Sequence, residues 1–182
     1  QPPDFLTIGP DLAESWTIAA DGKPYTFKIV PGVVDHKGNP WTAKDAKFTL
    51  ELLAQKTASR PAQAYVTVAG VSIFESVEAP DDTTLIVKLK NTDGVFFPQM
   101  ALPQMAMYTQ ASYDEKASAL SPVGTGPYKL TRNQPGEVLE YAANDGYFKK
   151  GMPYLAGFQT FIIADTTAID AAFEAKRIDL IM

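Results

Sequence analysis

The stretch Ile18-Ala19-Ala20-Asp21-Gly22-Lys23-Pro24-Tyr25-Thr26-Phe27-Lys28-Ile29 sets the character of the first half of the chain. Tyr25, Phe27 and Ile29 alternate with Thr26, Lys28 and Val30, the period-2 pattern of a half-buried strand. Asp21-Gly22 just ahead marks a tight turn, because glycine accepts the positive φ such turns need. A strand ending near Ile18 is therefore expected to fold back onto Tyr25 to Ile29. Downstream, Pro31-Gly32, Lys37-Gly38 and Asn39-Pro40 break the chain in quick succession and read as loop.

Thr42 follows with Asp45 three positions on, a capping-box variant, and Ala46, Leu50 and Leu53 recur at helical spacing with Phe48 and Leu52 widening the stripe. A helix ending near Gln55 is expected. The polar stretch Lys56 to Arg60 before Pro61 reads either as a surface loop or as a ligand-facing segment. Val71 to Glu78 and Thr84 to Lys90, joined by Ala79-Pro80-Asp81-Asp82, form an expected antiparallel pair with Leu85, Val87 and Leu89 on the buried face. From Asn91 to Leu120 periodicity weakens. Val95-Phe96-Phe97 and Met100 to Tyr108 carry apolar mass that something must cover, and Tyr113 to Leu120 is expected to form a short helix. Tyr128 to Thr131 and Val138 to Ala142 around Asn133-Gln134-Pro135-Gly136 read as a hairpin. Phe158 to Ile163 reads as a more buried strand, Asp165 or Thr166 opens a helix with Ile169, Ala172 and Phe173 on one face, and Ile178 to Ile181 resumes β character.

At 182 residues the chain suits one domain or two closely packed units, and at this size about 70% of the unfolded surface can be buried. Sixteen Lys and Arg against 21 Asp and Glu give a net charge of −5 with no dense basic block, which argues against nucleic acid or anionic membrane as partner. No apolar run approaches the length of a membrane span. The absence of cysteine removes disulfides, thiolate nucleophiles and sulfur-ligated metals, and leaves the compartment open. The opening Gln1-Pro2-Pro3-Asp4 has neither a basic nor an apolar leader pattern, so any signal peptide is expected to have been removed.

Leu12-Ala13-Glu14-Ser15-Trp16, Asp21-Gly22 and Tyr25-Thr26-Phe27 are followed in order by Gly32-Val33, His36, Gly38-Asn39-Pro40 and Thr42-Ala43-Lys44-Asp45. Glu75 to Leu85, then Gly124-Thr125-Gly126-Pro127-Tyr128, then Asn144 to Leu155 complete the series. In these motifs, over nearly its whole length, the chain resembles the periplasmic solute-binding proteins of peptide and nickel ABC importers, extracellular solute-binding family 5. Two departures stand out. Phe148 replaces a frequent tryptophan, and Lys176-Arg177 stands where the family often has Gly-Glu; a left-handed Lys176 would cost roughly 1 kcal/mol relative to glycine.

The resemblance implies a mixed α+β and α/β architecture of the type II periplasmic-binding-protein kind. Residues 1–120 would form an N-terminal α+β subdomain, mainly antiparallel sheet with one main helix. Residues 121–182 would begin the α/β ligand-binding lobe, so that the chain is a piece of one lobe. It further implies capture of a small-molecule solute, an oligopeptide or dipeptide by default, between two lobes that close over it and deliver it to ABC permease subunits from the periplasm or the extracellular side. Ala62 to Tyr65 and the stretch ending Met105-Ala106-Met107-Tyr108 would lie on the cleft side. Tyr65 and Tyr108 would then offer an aromatic face and a hydroxyl to the solute, with buried core tyrosines as the alternative. Backbone N–H groups around Gly126 are a further candidate contact.

On the residues themselves, Gly124-Thr125-Gly126 lacks both the Lys-Ser/Thr ending of a P-loop and the third glycine of a dinucleotide fingerprint. His36 is the only histidine, and the sequence has no G-x-S-x-G elbow, so no catalytic residue, metal ligand or cofactor is expected. An oxygen-only metal site from Asp81, Asp82 or Asp93 is weaker than the alternative of solvated turn carboxylates. Two rivals stand beside the binding protein: a carboxylate-dyad hydrolase acting on sugars, and a self-contained β-rich interaction module. The module requires both Val95 to Tyr108 and Ile178 to Met182 to be covered by this chain alone.

Overall fold

A computed structural model describes residues 7–55, 63–114 and 120–181. The expected loop at Lys56 to Arg60, together with Pro61, Ala62, the middle of the expected helix Tyr113 to Leu120, and Met182, lie outside the described residues.

Strand β1 (Ala13–Ile18) returns as β2 (Pro24–Ile29), with Ile18 opposite Tyr25 and Gly22 at φ 68 in the turn. Helix α1 (Ala43–Leu53) starts at Thr42, whose side chain accepts from Lys44 N–H while the Asp45 carboxylate accepts from Thr42 N–H, the expected box. After it come α2 (Gln63–Val66) and a small hairpin, β3 (Thr67–Val68) and β4 (Val71–Ser72), then β5 (Phe74–Glu78) and β6 (Thr84–Leu89). The expected run Val71 to Glu78 is thus divided: Val71 and Ser72 pair with β3, and only Phe74 onward joins the main sheet, ordered β1-β2-β6-β5.

The alternating residues of this sheet meet α1. Tyr25, Phe27, Ile29, Leu85, Val87 and Leu89 on the strands and Ala46, Leu50 and Leu53 on the helix are all buried. The apolar mass after β6 supplies the missing cover. In α3 (Phe96–Gln99), Phe96 meets Tyr25 edge-on at 5.1 Å, and Phe97 stands 5.1 Å from Trp16 and stacks at 6.3 Å on Phe27. Short 3₁₀ turns at Pro103–Met105 and Gln110–Ser112 follow, and Tyr113 closes the second in an extended rather than helical conformation.

The later part builds a second antiparallel sheet, β7 (Tyr128–Gln134), β8 (Val138–Ala143) and β9 (Gly157–Phe161) in that order, then α4 (Thr166–Glu174), capped by the Asp165 carboxylate on Ala168 N–H. Two expectations fail here. β9 is not a buried strand: Phe158, Phe161 and Ile162 are each more than 40% exposed. Phe158 packs on Tyr128 and Tyr141, but no described element covers the outside of β9. Ile178 to Ile181 forms no strand, and Leu180 is 71% exposed. Lys176, by contrast, does adopt the left-handed conformation, at φ 54. Its N–H bonds to Phe173 C=O and that of Arg177 to Ala172 C=O, the double bond of a Schellman ending, with lysine where glycine is preferred.

Candidate functional site

The polypeptide around Tyr108 is laid across the start of α1 by polar groups from the first half of the chain. Thr49 accepts from Tyr108 N–H at 2.9 Å and donates to the Asp45 carbonyl at 2.9 Å. Trp41 Nε1–H donates to Tyr108 C=O at 3.2 Å, and the Asp45 carboxylate accepts from Gln110 N–H at 2.9 Å. At the far end, Asn39 donates to the Ser112 hydroxyl at 2.8 Å, which itself donates to Asp35 at 2.5 Å.

Asp35 is buried, and it also accepts from the N–H groups of Lys37 and Asn39, at 2.8 and 2.9 Å. Burial opposes its ionisation, but these donors together outweigh burial and hold its carboxyl below the ordinary value. Asp35 and Asp45, the buried carboxylates among the described residues, are therefore occupied in shaping backbone, which leaves the acidic-dyad chemistry no support from either.

The clamp presents Tyr108 edge-on to Tyr113 at 5.2 Å, with Tyr113 in turn edge-on to Phe48 at 5.5 Å. Around the tyrosine pair lies a cleft of about 100 Å³ lined by Lys37, Tyr108, Ser112, Tyr113, Asp114, Ser121 and Val123. A wider and more open depression of about 460 Å³ runs along Phe173, Glu174, Lys176, Ile178 and Asp179.

Gly126 is placed differently. Its carbonyl accepts from the His36 ring at 3.1 Å and from the Asn144 amide at 2.9 Å. Because a carbonyl only accepts, His36 Nε2 carries the proton and Nδ1 accepts from Gly124 N–H at 3.4 Å; His36 N–H completes the contact by donating to Gly124 C=O at 2.9 Å. Both ring nitrogens are thus spent on the 124–126 turn, so His36 is not poised as a general base. Tyr65 sits half-buried on α2 against the main core, next to fully buried Val66. Tyr108 lines the smaller cleft; Tyr65 and Gly126 line neither depression.

The residues that sequence reasoning missed are the clamps. Thr49, Asp45, Trp41 and Asn39 reach partners far along the chain, and no local spacing announces such pairs. Among the described residues no three His, Cys, Asp or Glu side chains gather as a metal would need, and no helix is long and apolar enough to cross a membrane.

A four-stranded antiparallel sheet backed by a helix is thus joined by a histidine-pinned turn to a second sheet, and the candidate contacts Tyr65, Tyr108 and Gly126 are each partly buried. The family model of bacterial extracellular solute-binding proteins, family 5 (middle region), matches residues 7–182, and the chain belongs to that family. It is 33% identical over 178 residues to a Brucella ovis protein named as an ABC transporter peptide-binding protein, covering 92% of this chain and 32% of that one. To a glutathione-binding protein of Pectobacterium atrosepticum it is 32% identical over 146 residues, 79% of this chain and 27% of the other.

Among solved structures, NikA of Brucella suis in complex with Fe(III)-EDTA superposes with a TM-score of 0.82 at 29% identity, covering 96% of this chain and 35% of that chain. DppA of Helicobacter pylori with the peptide STSA gives 0.75 at 26% identity, covering 94% and 37%. The type II periplasmic-binding-protein fold follows from these likenesses. The chain spans about a third of the length of the relatives it matches.

Proposed function

We propose that this chain supplies part of one wall of a two-lobed, non-catalytic solute-binding protein that captures an oligopeptide, a dipeptide or a similar small polar solute. The captured solute passes to the permease subunits of an ABC importer from the periplasmic or extracellular side. In this proposal residues 1–120 are the α+β subdomain, residues 121–182 begin the ligand-binding lobe, and Tyr65, Tyr108 and Gly126 face the solute.

The observation that carries the proposal is the mismatch between wall and enclosure. Pockets that bury a drug-sized ligand run from about 300 to 1,000 Å³. The cleft beside Tyr108 holds about 100 Å³, and the larger depression is an open one. A second wall is needed before a solute is desolvated, and closure of two lobes provides it. Relatives named for peptide and glutathione binding support the solute class. The self-contained module is disfavoured because, although Phe96 and Met105 are buried, Leu180 and Ile181 stand exposed at 71% and 44%.

Following tyrosine ring resonances by NMR during titration with trialanine tests the proposal. Tyr65 and Tyr108 are expected to shift together at millimolar peptide, and absence of any shift at either would overturn their placement. Incubation with aryl glycosides is expected to release no phenol above the buffer blank; turnover would restore the hydrolase.

A further inference from the structure

Glycine usually stands where the backbone needs a positive φ or where a neighbour leaves no room for a side chain. Gly22, Gly32, Gly38, Gly70, Gly136 and Gly151 all have positive φ, and a Cβ at Gly157 would lie 2.3 Å from the Tyr141 carbonyl oxygen. Gly124 and Gly126 meet neither condition. Their φ values fall outside the left-handed region, and a Cβ added at either finds nothing within 4 Å. The fold of the described residues makes no demand for glycine at either position, yet open space is kept on both sides of Thr125.

Hydrogen bonding gives that space a polarity. Gly124 C=O is taken by His36 N–H, and Gly126 C=O receives both the His36 ring and the Asn144 amide, which fills the two lone pairs of a carbonyl oxygen. The N–H groups of Thr125 and Gly126 donate to no acceptor among the described residues. Two N–H groups of the turn thus remain free to donate, while the Gly124 and Gly126 carbonyls are held by residues from two separate parts of the chain. The loop that carries His36 is itself held in place by the Asp35 carboxylate and Asn39.

We propose that the Gly124–Gly126 turn receives a carboxylate or peptide carbonyl oxygen of the solute on the N–H groups of Thr125 and Gly126, with His36 and Asn144 as the positioning residues that aim it. The glycines are there to let that oxygen approach the backbone. The inference rests on the solute-binding reading above and goes further, by assigning the chemistry of one contact and the direction of its hydrogen bonds.

The test is an amide-resolved NMR titration of the whole chain with sodium acetate, with methylammonium chloride at equal ionic strength as control. Acetate is expected to move the Thr125 and Gly126 amide protons downfield in a saturating curve, and methylammonium to leave them in place. Gly124→Ala and Gly126→Ala are expected to fold with an unchanged or higher Tm, since the added methyl meets open space and stiffens the unfolded chain. In both variants acetate affinity is expected to fall about fivefold to tenfold, the scale of one lost hydrogen bond, whereas Gly94→Ala, also open, should not alter it.

Shifts at Thr125 and Gly126 no larger than at remote exposed amides, an acetate response unchanged by Gly126→Ala, or alanine variants that unfold would each overturn the inference. Glycylglycine separates the two levels. Shifts at Tyr65 or Tyr108 without any at Thr125 and Gly126 would sink this inference and leave the solute reading standing; silence at all four would sink both.

Discussion

Replacing Asp45 removes a carboxylate that serves two structural tasks. One oxygen closes the capping box by accepting from Thr42 N–H at 2.9 Å and from the Thr42 hydroxyl at 3.0 Å; the other accepts from Gln110 N–H at 2.9 Å. Loss of a helix cap costs typically about 1 kcal/mol. A hydrogen bond to a charged group is worth about 1.5–3 kcal/mol, but Gln110 is exposed, so water recovers part of that. Asp45→Ala is therefore expected to destabilise by about 2 kcal/mol. For a chain of this length each kcal/mol moves Tm by about 2–4 °C, so calorimetry should record a fall of about 4–8 °C. Asp45→Asn keeps the shape and one acceptor oxygen and should lose about half as much. The near-ultraviolet circular dichroism of the Tyr108–Tyr113 pair should weaken in the alanine variant before global unfolding, because Gln110 helps hold that segment. A fall under about 1 °C would refute the double role, since it means the 2.9 Å contacts contribute no more than water does; an asparagine variant as damaged as the alanine one would contradict the division of the two tasks between two independent oxygens.

Thr109 is 1% exposed and its hydroxyl has no partner among the described residues, so Thr109→Val should stabilise by about 1 kcal/mol, read as a higher denaturant midpoint at unchanged slope; a loss would mean that the hydroxyl is bonded. Lys176→Gly at the end of α4 should gain up to about 1 kcal/mol by relieving the left-handed lysine, and a loss would show that the lysine stem packs usefully in the adjoining groove. The Asp81 carboxyl is pulled down to about 2, chiefly by the Thr83 N–H and then by the threonine hydroxyls. A folded-state value below the unfolded one stabilises the fold above the ordinary carboxylate range and loses that contribution as pH falls toward 2. Asp81→Asn should accordingly flatten the acid limb of the stability curve, and an Asp81 carbon resonance titrating near pH 4 would contradict the assignment.

The elements whose determinants lie close together were legible. The β1–β2 hairpin needs only Asp21-Gly22 and the alternation beyond it, and the start of α1 needs only Thr42 and Asp45. The left-handed Lys176 that ends α4 was flagged by the family resemblance, which often has glycine there, and not by any local pattern. Where the determinant is distant or external, legibility ended. The β3–β4 hairpin turns through Ala69 and Gly70, both at positive φ, a turn that Asn-Gly would have announced and Ala-Gly does not.

Phe158 to Ile163 has the composition of a buried strand, but burial is a property of what packs on it, and the described residues bring nothing to its outer side. Among the candidate contacts, Gly126 lies in a recognisable turn, but the function of His36 within it appears only when residues separated by 90 positions meet. The clamp from Thr49 to Tyr108 spans 59 positions and left no trace in any local pattern.

Isothermal titration of this chain with a dipeptide such as glycylglycine measures most directly whether it holds a wall or a whole site. The account predicts binding no tighter than millimolar, about −4 kcal/mol, because a single open face leaves the solute largely hydrated. A submicromolar dissociation constant from these residues alone would contradict it.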